Sequence, residues 1–324
     1  MKYDRNIWMD GIMGVIVGDA LGVPVEFLGR NELSNHPVTT MRGYGTYHLP
    51  EGSWSDDSSM TLATLDSLKD GFHPEDIMEK FVCWIKSGEY TPFGKVFDVG
   101  NTCYDAIIRY SISKNINTCG RSGEHDNGNG SLMRILPICL YAYEKQHTEG
   151  ITDEAAISMI HTVSALTHNH IRSKIACGLY YFMVRSILDR TGNLPERLQH
   201  GITDGINYYE ESGVSKKELA QYSRITDLKA FKEIPADQIN SSGYVVATSE
   251  AAVWSLINTN SFAKCVLKAV NLGYDTDTVA AVAGGLAGLY YGYANIPEEW
   301  LDKIQKRNWI EQMCKRIDQE PLSP

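Results

Sequence analysis

Apolar residues recur at helical spacing along almost the whole chain. Ile7 to Leu21 carries such a run, and Pro74 to Ser87 places Ile77, Phe81, Val82 and Ile85 on one face of a helix. The same periodicity predicts helices over Ser59–Leu68, Cys103–Ser113, Ser131–Tyr143, Asp153–Thr167, Ile171–Leu188 and Leu198–Glu211. It continues through Thr248–Leu256, Phe262–Asn271, Val279–Tyr291 and Pro297–Asp318. Alternation with a period of two is nearly absent, and Tyr244-Val245-Val246-Ala247 comes closest to a strand. The pattern predicts an all-α protein. Residues 22–56 and 114–130, rich in Gly, Asn, Ser and Pro, are its long functional loops, and the polar stretch 212–243 is an excursion rather than a domain boundary.

The longest apolar segment, Val279 to Tyr293, falls short of the roughly 20 residues that cross a bilayer. It reads as a buried helix, with Gly284, Gly285, Gly288 and Gly292 admitting close neighbours. The first five residues lack the apolar stretch of a signal peptide. Seven cysteines without a CxxC pair read as reduced thiols, mostly in the core, which points to the cytoplasm and away from a disulfide scaffold. A net charge of −10 gives no general electrostatic basis for binding nucleic acid. Substrate anions would need local help from metals, backbone N–H groups or helix termini.

Chemistry enters with two acidic clusters near opposite ends of the chain, each just before an apolar run. They are Ser55-Asp56-Asp57-Ser58 and Asp275-Thr276-Asp277-Thr278. All their donors are oxygens, which suits Mg²⁺ or Mn²⁺ rather than Zn²⁺ or Cu. One Asp or Ser before a helix is commonly just an N-cap. A cap needs one acceptor, and each cluster offers more. If the fold brings the clusters together, four carboxylates repel one another unless they bind metal or stay partly protonated. Because they must meet, residues 1–324 are expected to form a single domain.

Four further features carry two readings each. Gly128-Asn129-Gly130-Ser131 before Leu132 is either a phosphate cradle at a helix N-terminus or an ordinary capped turn. His168 and His170 have the His-x-His spacing of a metal pair, but no third soft ligand is nearby. A hydrogen-bonding or base-stacking His168 and a His that merely caps a helix are both open. Asp98 is either a helix cap or a carboxylate for a cationic group such as guanidinium. Glu26, after Gly22-Val23-Pro24-Val25, is a base or gate on a loop, or a surface acid.

Taken together, Gly14–Phe27, Gly52–Ser58, Phe97–Thr102, Asn127–Pro137, Thr167–His170 and Leu272–Gly292 resemble the ADP-ribosylglycohydrolases, in that family's order. The resemblance implies an all-α orthogonal bundle with a centre of two Mg²⁺ or Mn²⁺ ions. Ser55, Asp56, Asp57, Asp275, Asp277 and Thr278 would ligate them. Asp126, Asn127, Gly128, Asn129, Gly130 and Ser131 would match the diphosphate loop, His168 the histidine beside adenosine, and Tyr244 a substrate-lining tyrosine. Glu26 would match an acidic residue on a mobile loop, and Asp98 the Asp of the arginine-directed branch. Two positions depart from the commonest pattern. Ser55 replaces Thr, which keeps a hydroxyl donor, and Tyr274 replaces Gly, which is expected to narrow the pocket mouth.

The implied activity is hydrolysis of the glycosidic bond of an ADP-ribosylated protein or small molecule, with ADP-ribosyl-arginine the expected substrate. Glu26, or a ligating carboxylate such as Asp56 or Asp277, would take a proton from water, and Asp98 would position or protonate the leaving guanidine. Alternatives are another ADP-ribose linkage (serine, O-acetyl-ADP-ribose, a nucleic-acid or small-molecule adduct), a noncatalytic ADP-ribose-binding protein, or an unrelated two-metal phosphohydrolase. A monomer without membrane or nucleic-acid partners completes the expectation.

Overall fold

Two helices that are apolar on every side, Ile7–Gly22 and Thr276–Tyr291, lie against each other at the centre. Such helices have no solvent face and belong in the middle of a fold. The computed structural model describes residues 5–319, and within them every regular element is helical, with only isolated bridges at Arg121–His168 and Gly128–Tyr244. Glycine explains how closely the central pair packs. A Cβ on Gly14 would fall 2.2 Å from the Gly284 carbonyl oxygen, and one on Gly288 would fall 2.1 Å from that of Asp10. A Cβ on Gly22 would meet the Asp277 Cα at 2.3 Å. The contact between the two backbones thus runs up to the second acidic cluster. Gly292 serves otherwise: its φ of +90° ends the helix, a conformation that costs glycine little.

Ile7–Val25 has the length and mean hydropathy, 1.4, of a membrane span, yet 94% of that window is buried within the fold. Asn6 caps the helix by accepting the Met9 N–H at 2.8 Å. Around the pair pack the helices Asp56–Leu68, Leu136–Glu149 and Ile171–Asp189, then Val245–Ile257 and Phe262–Val270, with Arg307–Gln319 closing against the first helix and Pro74–Ser87 lying outside on Asp56–Leu68. Outer helices are amphipathic; Pro74–Ser87 buries Ile77, Met78, Phe81, Val82 and Trp84 and ends in Gly88 at φ 69°. One connected apolar cluster extends from Trp8 to Ile317. Each fully buried Ile, Val or Leu adds roughly 1.5–3 kcal/mol relative to exposure.

Several boundaries differ from the periodicity. Asp56 and Asp57 lie inside the first turn of their helix, not before it, with Ser55 as the cap. Ser131–Arg134 is a non-helical turn, and the helix starts at Leu136. Pro137 accounts for this, since it lacks an N–H and is best placed in a first turn. The Gly128–Ser131 loop therefore does not run into a helix N-terminus. The helix expected from Thr248 starts earlier, at Val245, with Tyr244 at its cap position. Pro297–Asp318 splits into Glu298–Leu301 and Arg307–Gln319, and the side chain of Asp318 lies outside the described residues.

Candidate active site

Asp19, in the central helix Ile7–Gly22, organises the first acidic cluster. Its buried carboxylate accepts the Ser55 N–H at 3.0 Å, the Ser58 N–H at 3.0 Å, the Ser55 hydroxyl at 3.0 Å and the Ser58 hydroxyl at 2.5 Å. These bonds tie the start of Asp56–Leu68 to the middle of the molecule. The helix Thr276–Tyr291 begins beside Gly22, where the Thr276 hydroxyl donates to the Gly22 carbonyl at 2.9 Å. Both clusters thereby converge on one spot.

There the carboxyl groups form two overlapping triads. One oxygen each from Asp19, Asp57 and Asp277 lie within 4.8 Å of one another, as do oxygens from Glu26, Asp98 and Asp277. Asp277 belongs to both. The Thr278 hydroxyl donates to Asp57 Oδ2 at 3.3 Å, and Ser55 Oγ lies 3.0 Å from that oxygen. Asp275 holds the cap position of its helix without capping it; its Oδ2 accepts from the Asn129 amide at 2.8 Å. Asp56 Oδ2 accepts the Gly100 N–H at 3.4 Å. Beyond Ser55, helix capping accounts for little of this group.

Burial raises the carboxyls of Asp56, Asp57 and Asp277 well above the usual range, and like charge raises them further: Asp98 for Asp56, Asp19 for Asp57, Glu26 for Asp277. Burial and then Asp98 push Glu26 up to about 9, and burial lifts Asp19 to about 6. Among the described residues no Lys or Arg pairs with Asp19, Glu26, Asp56, Asp57, Asp98, Asp275 or Asp277. Asp57 Oδ1 and Asp277 Oδ2 are buried with no hydrogen-bond partner. Unsatisfied, uncompensated carboxylate oxygens are costly to bury, and a hard divalent cation satisfies both conditions. The donor set fits such an ion.

Glu26 follows directly on the short 3₁₀ turn Val23–Val25 and is buried, not presented on an extended loop. It accepts from the Tyr47 hydroxyl at 2.7 Å. Tyr47 in turn packs on Phe97, ring centroids 5.1 Å apart, next to Asp98. Asp98 and Phe27 both adopt positive φ, 49° and 68°, a conformation that non-glycine residues hold only when their surroundings enforce it. Phe27 exchanges backbone hydrogen bonds with the neighbourhood of Tyr274: Phe27 N–H to Tyr274 O at 2.7 Å, Tyr274 N–H to Leu28 O at 2.8 Å. Phe27 lines the cavity, whereas Tyr274 is exposed and lines none of it. Tyr274 thus does not narrow the mouth; its backbone holds Phe27, which stands there instead.

The cavity, about 430 Å³, is lined by Glu26, Asp56, Asp98, Asp275 and Thr278 and by Gly128, Asn129, Gly130 and His168. Asp57 and Asp277 lie buried outside the lining. A second cavity of about 470 Å³ shares Gly128 and Gly243 with the first and adds Asn127, Tyr244, Arg172 and Glu124. Asp126 and Ser131 line neither. Asp126 accepts the Gly123 N–H at 3.1 Å, and Ser131 is buried 3.6 Å from Cys177 Sγ. His168 and His170 are not a pair: His170 caps Ile171–Asp189 through Arg172 N–H at 3.2 Å, while His168 lies under the glycine loop. Asp19, Tyr47 and Arg134 were not singled out by sequence. An Asp within an apolar helix is the available signal for Asp19, and Asp10 in the same helix shares it.

Comparison with known proteins adds to this geometry. The ADP-ribosylglycohydrolase family profile matches residues 4–323. The chain is 30% identical over 311 residues to ADP-ribosylarginine hydrolase Tri1 of Serratia proteamaculans, covering 94% of this chain and 77% of that one. It is 32% identical over 318 residues to the ADP-ribosyl-[dinitrogen reductase] glycohydrolase of Rhodospirillum rubrum, covering 97% and 94%. A solved structure titled ADP-ribosylglycohydrolase-related protein complex superposes with a TM-score of 0.78 at 29% identity, covering 98% of both chains.

Proposed function

The chain belongs to the ADP-ribosylglycohydrolase family, hydrolases of the glycosidic bond of ADP-ribose, and from that premise we propose a Mg²⁺- or Mn²⁺-dependent ADP-ribosylarginine hydrolase. The observation that carries the metal dependence is the set of seven carboxyls gathered in one buried region without a basic partner. Ser55, Asp56, Asp57, Asp275, Asp277 and Thr278 are the residues proposed to hold two cations, with Asp19 bracing the first cluster from behind. When bound, divalent cations neutralise this charge and make a coordinated water more acidic.

Hydrolysis adds the oxygen of water to the anomeric carbon and a proton to the departing guanidine nitrogen. Glu26, held by Tyr47 at the cavity wall, takes the proton from water. Cations bound beside it would favour its carboxylate form, the form a base needs. Asp98, beside it, takes that proton over from Glu26 and delivers it to the leaving nitrogen. The part of the lining formed by Gly128, Gly130 and His168 receives the diphosphate side of the substrate. The proposal extends to one domain over residues 1–324, supported by the shared apolar cluster, and to the cytoplasm, supported by seven free cysteines.

Mass spectrometry of the products from an arginine-ADP-ribosylated peptide tests this reading, with Mg²⁺, Mn²⁺ and EDTA arms. Metal-dependent appearance of ADP-ribose and unmodified arginine is the expected result. Release of AMP, or equal turnover in EDTA, overturns it.

A further inference from the structure

Arg134 is an arginine with almost no charge partner. Its side chain is fully buried, and among the described residues no carboxylate pairs with it. Instead the guanidinium donates to the Val163 carbonyl at 3.3 Å and to the Thr167 hydroxyl oxygen at 2.6 Å, and it lies 4.9 Å from the centre of the Phe81 ring. A buried cation held only by neutral groups is expensive, and it needs a reason to be there.

The next contact supplies one. Thr167 Oγ1 lies 2.8 Å from His168 Nδ1. An arginine cannot accept a hydrogen bond, so the Thr167 oxygen must be the acceptor toward Arg134. The hydroxyl proton of Thr167 then points elsewhere. Cys103, the other side chain beside Thr167, is a buried thiol that burial holds in its protonated form at about 12, and sulfur accepts weakly. His168 Nδ1 is the strong acceptor in reach. An Nδ1 that accepts leaves the proton of the neutral ring on Nε2. That nitrogen lies against the cavity loop: a Cβ on Gly128 would come 3.4 Å from it, and one on Gly130 would come 2.9 Å from the adjacent Cε1.

We propose that Arg134, acting through Thr167, fixes His168 as the Nε2–H tautomer and so makes it a permanent N–H donor to a phosphate or ribose oxygen of the substrate. Arg134 and Thr167 are positioning residues in this scheme, and His168 makes the contact. The proposal rests on the ADP-ribosyl substrate read above for its ligand, but not for the tautomer. Burial and then the Arg134 charge push the His168 ring down to about 3, so the donor persists unprotonated across the neutral range. An imidazolium would also offer an N–H here, but beside Arg134 it would place a second charge in the same buried space.

The test uses Thr167, because replacing Arg134 risks the fold. Long-range ¹H–¹⁵N spectra of ¹⁵N-histidine-labelled full-length protein report each ring's tautomer, and His168→Gln identifies the signal by its loss. Wild type and Thr167→Ser should show His168 as Nε2–H with no protonation between about pH 6 and 8. Thr167→Val should lose that single-tautomer pattern and bind ADP-ribose about three- to tenfold more weakly by calorimetry, with Thr167→Ser restoring both. An Nδ1–H or imidazolium pattern in wild type overturns the proposal. So does a Thr167→Val protein whose His168 pattern is unchanged, even if its affinity falls, because that would mark a packing role. Absence of ADP-ribose binding in wild type with the Nε2–H pattern intact would instead count against the substrate reading and uphold the tautomer lock.

Discussion

At the scale of single residues, Asp277 is the most exposed to test because it belongs to both carboxyl triads. Asp277→Asn keeps the shape and removes the charge. Turnover should fall on the order of a hundredfold or more. The thermal midpoint in EDTA should match or exceed that of wild type, since one uncompensated buried carboxylate is gone, while the rise on adding Mg²⁺ shrinks. A differential scanning experiment with and without metal reads both signs at once. Asp98→Ala should cost on the order of a hundredfold in turnover of ADP-ribosyl-arginine with little change in metal-induced stabilisation, because proton transfer is its proposed task. Unchanged kinetics would remove it from the chemistry. These acidic residues were legible in sequence because oxygen donors were grouped beyond what capping uses. Asp19 and Tyr47 were not, since each acts through a partner far away in the chain: Ser55 and Ser58 for one, Glu26 for the other.

Among elements, the two central helices set the tolerance of the whole structure. Gly14→Val would drive a side chain into the Gly284 carbonyl, where its Cβ alone would be 2.2 Å from the oxygen and no flexible side chain can yield. A loss of about 3 kcal/mol or more is expected, measurable as a lower urea midpoint or as insoluble protein. The long helices were legible because 3.6-residue periodicity survives in single sequences. The short helices Arg30–Asn35, Lys216–Leu219 and Leu228–Lys232 are too brief to show a period and lie in stretches read as loop or excursion. Helix ends were less legible. Pro137 moved one start from Ser131 to Leu136, and the acidic residues Asp56 and Asp57 joined a helix they were expected to precede. Tyr244–Ala247 comes closest to a strand pattern, yet a helix starts there: Asn127 O accepts from Val245 N–H at 3.0 Å, and tertiary packing overrides β-branched preference. Gly284 and Gly288 admit close neighbours as read, whereas Gly292 ends the helix, a difference that depends on a backbone angle and not on composition.

For the molecule as a whole, metal and folding are linked. A cation that binds only the folded state at a hundred times its Kd adds about 2.7 kcal/mol, so EDTA should lower the thermal midpoint by several degrees. An unchanged midpoint would mean that the carboxyl cluster is satisfied in some other way. Acid should act through a different group. His161 stacks on Tyr209, and burial lowers its ring to about 4, so the unfolded chain binds the proton more readily. Its contribution is therefore complete above about pH 6.5 and is lost as pH falls toward 4, roughly 1 kcal/mol by pH 5 once partial exposure is discounted. Urea titrations should show wild type losing about 1 kcal/mol more than His161→Gln between pH 7 and pH 5.

The seam between the first helix and Thr276–Tyr291 also sets the timing of activity during synthesis. The ribosome releases Asp19, Asp56 and Asp57 early, but the helix carrying Asp277 must be made before the central pair can close. Until then Gly14, Gly18 and Gly22 have no partner backbone, and the apolar first helix lacks its principal neighbour. A polypeptide released before Asp275 carries five of the seven carboxyls and none of their geometry. Closing so long a loop is slow and uphill until the last contacts form. The enzyme is therefore silent through most of its own translation, and a truncated product cannot strip ADP-ribose from anything.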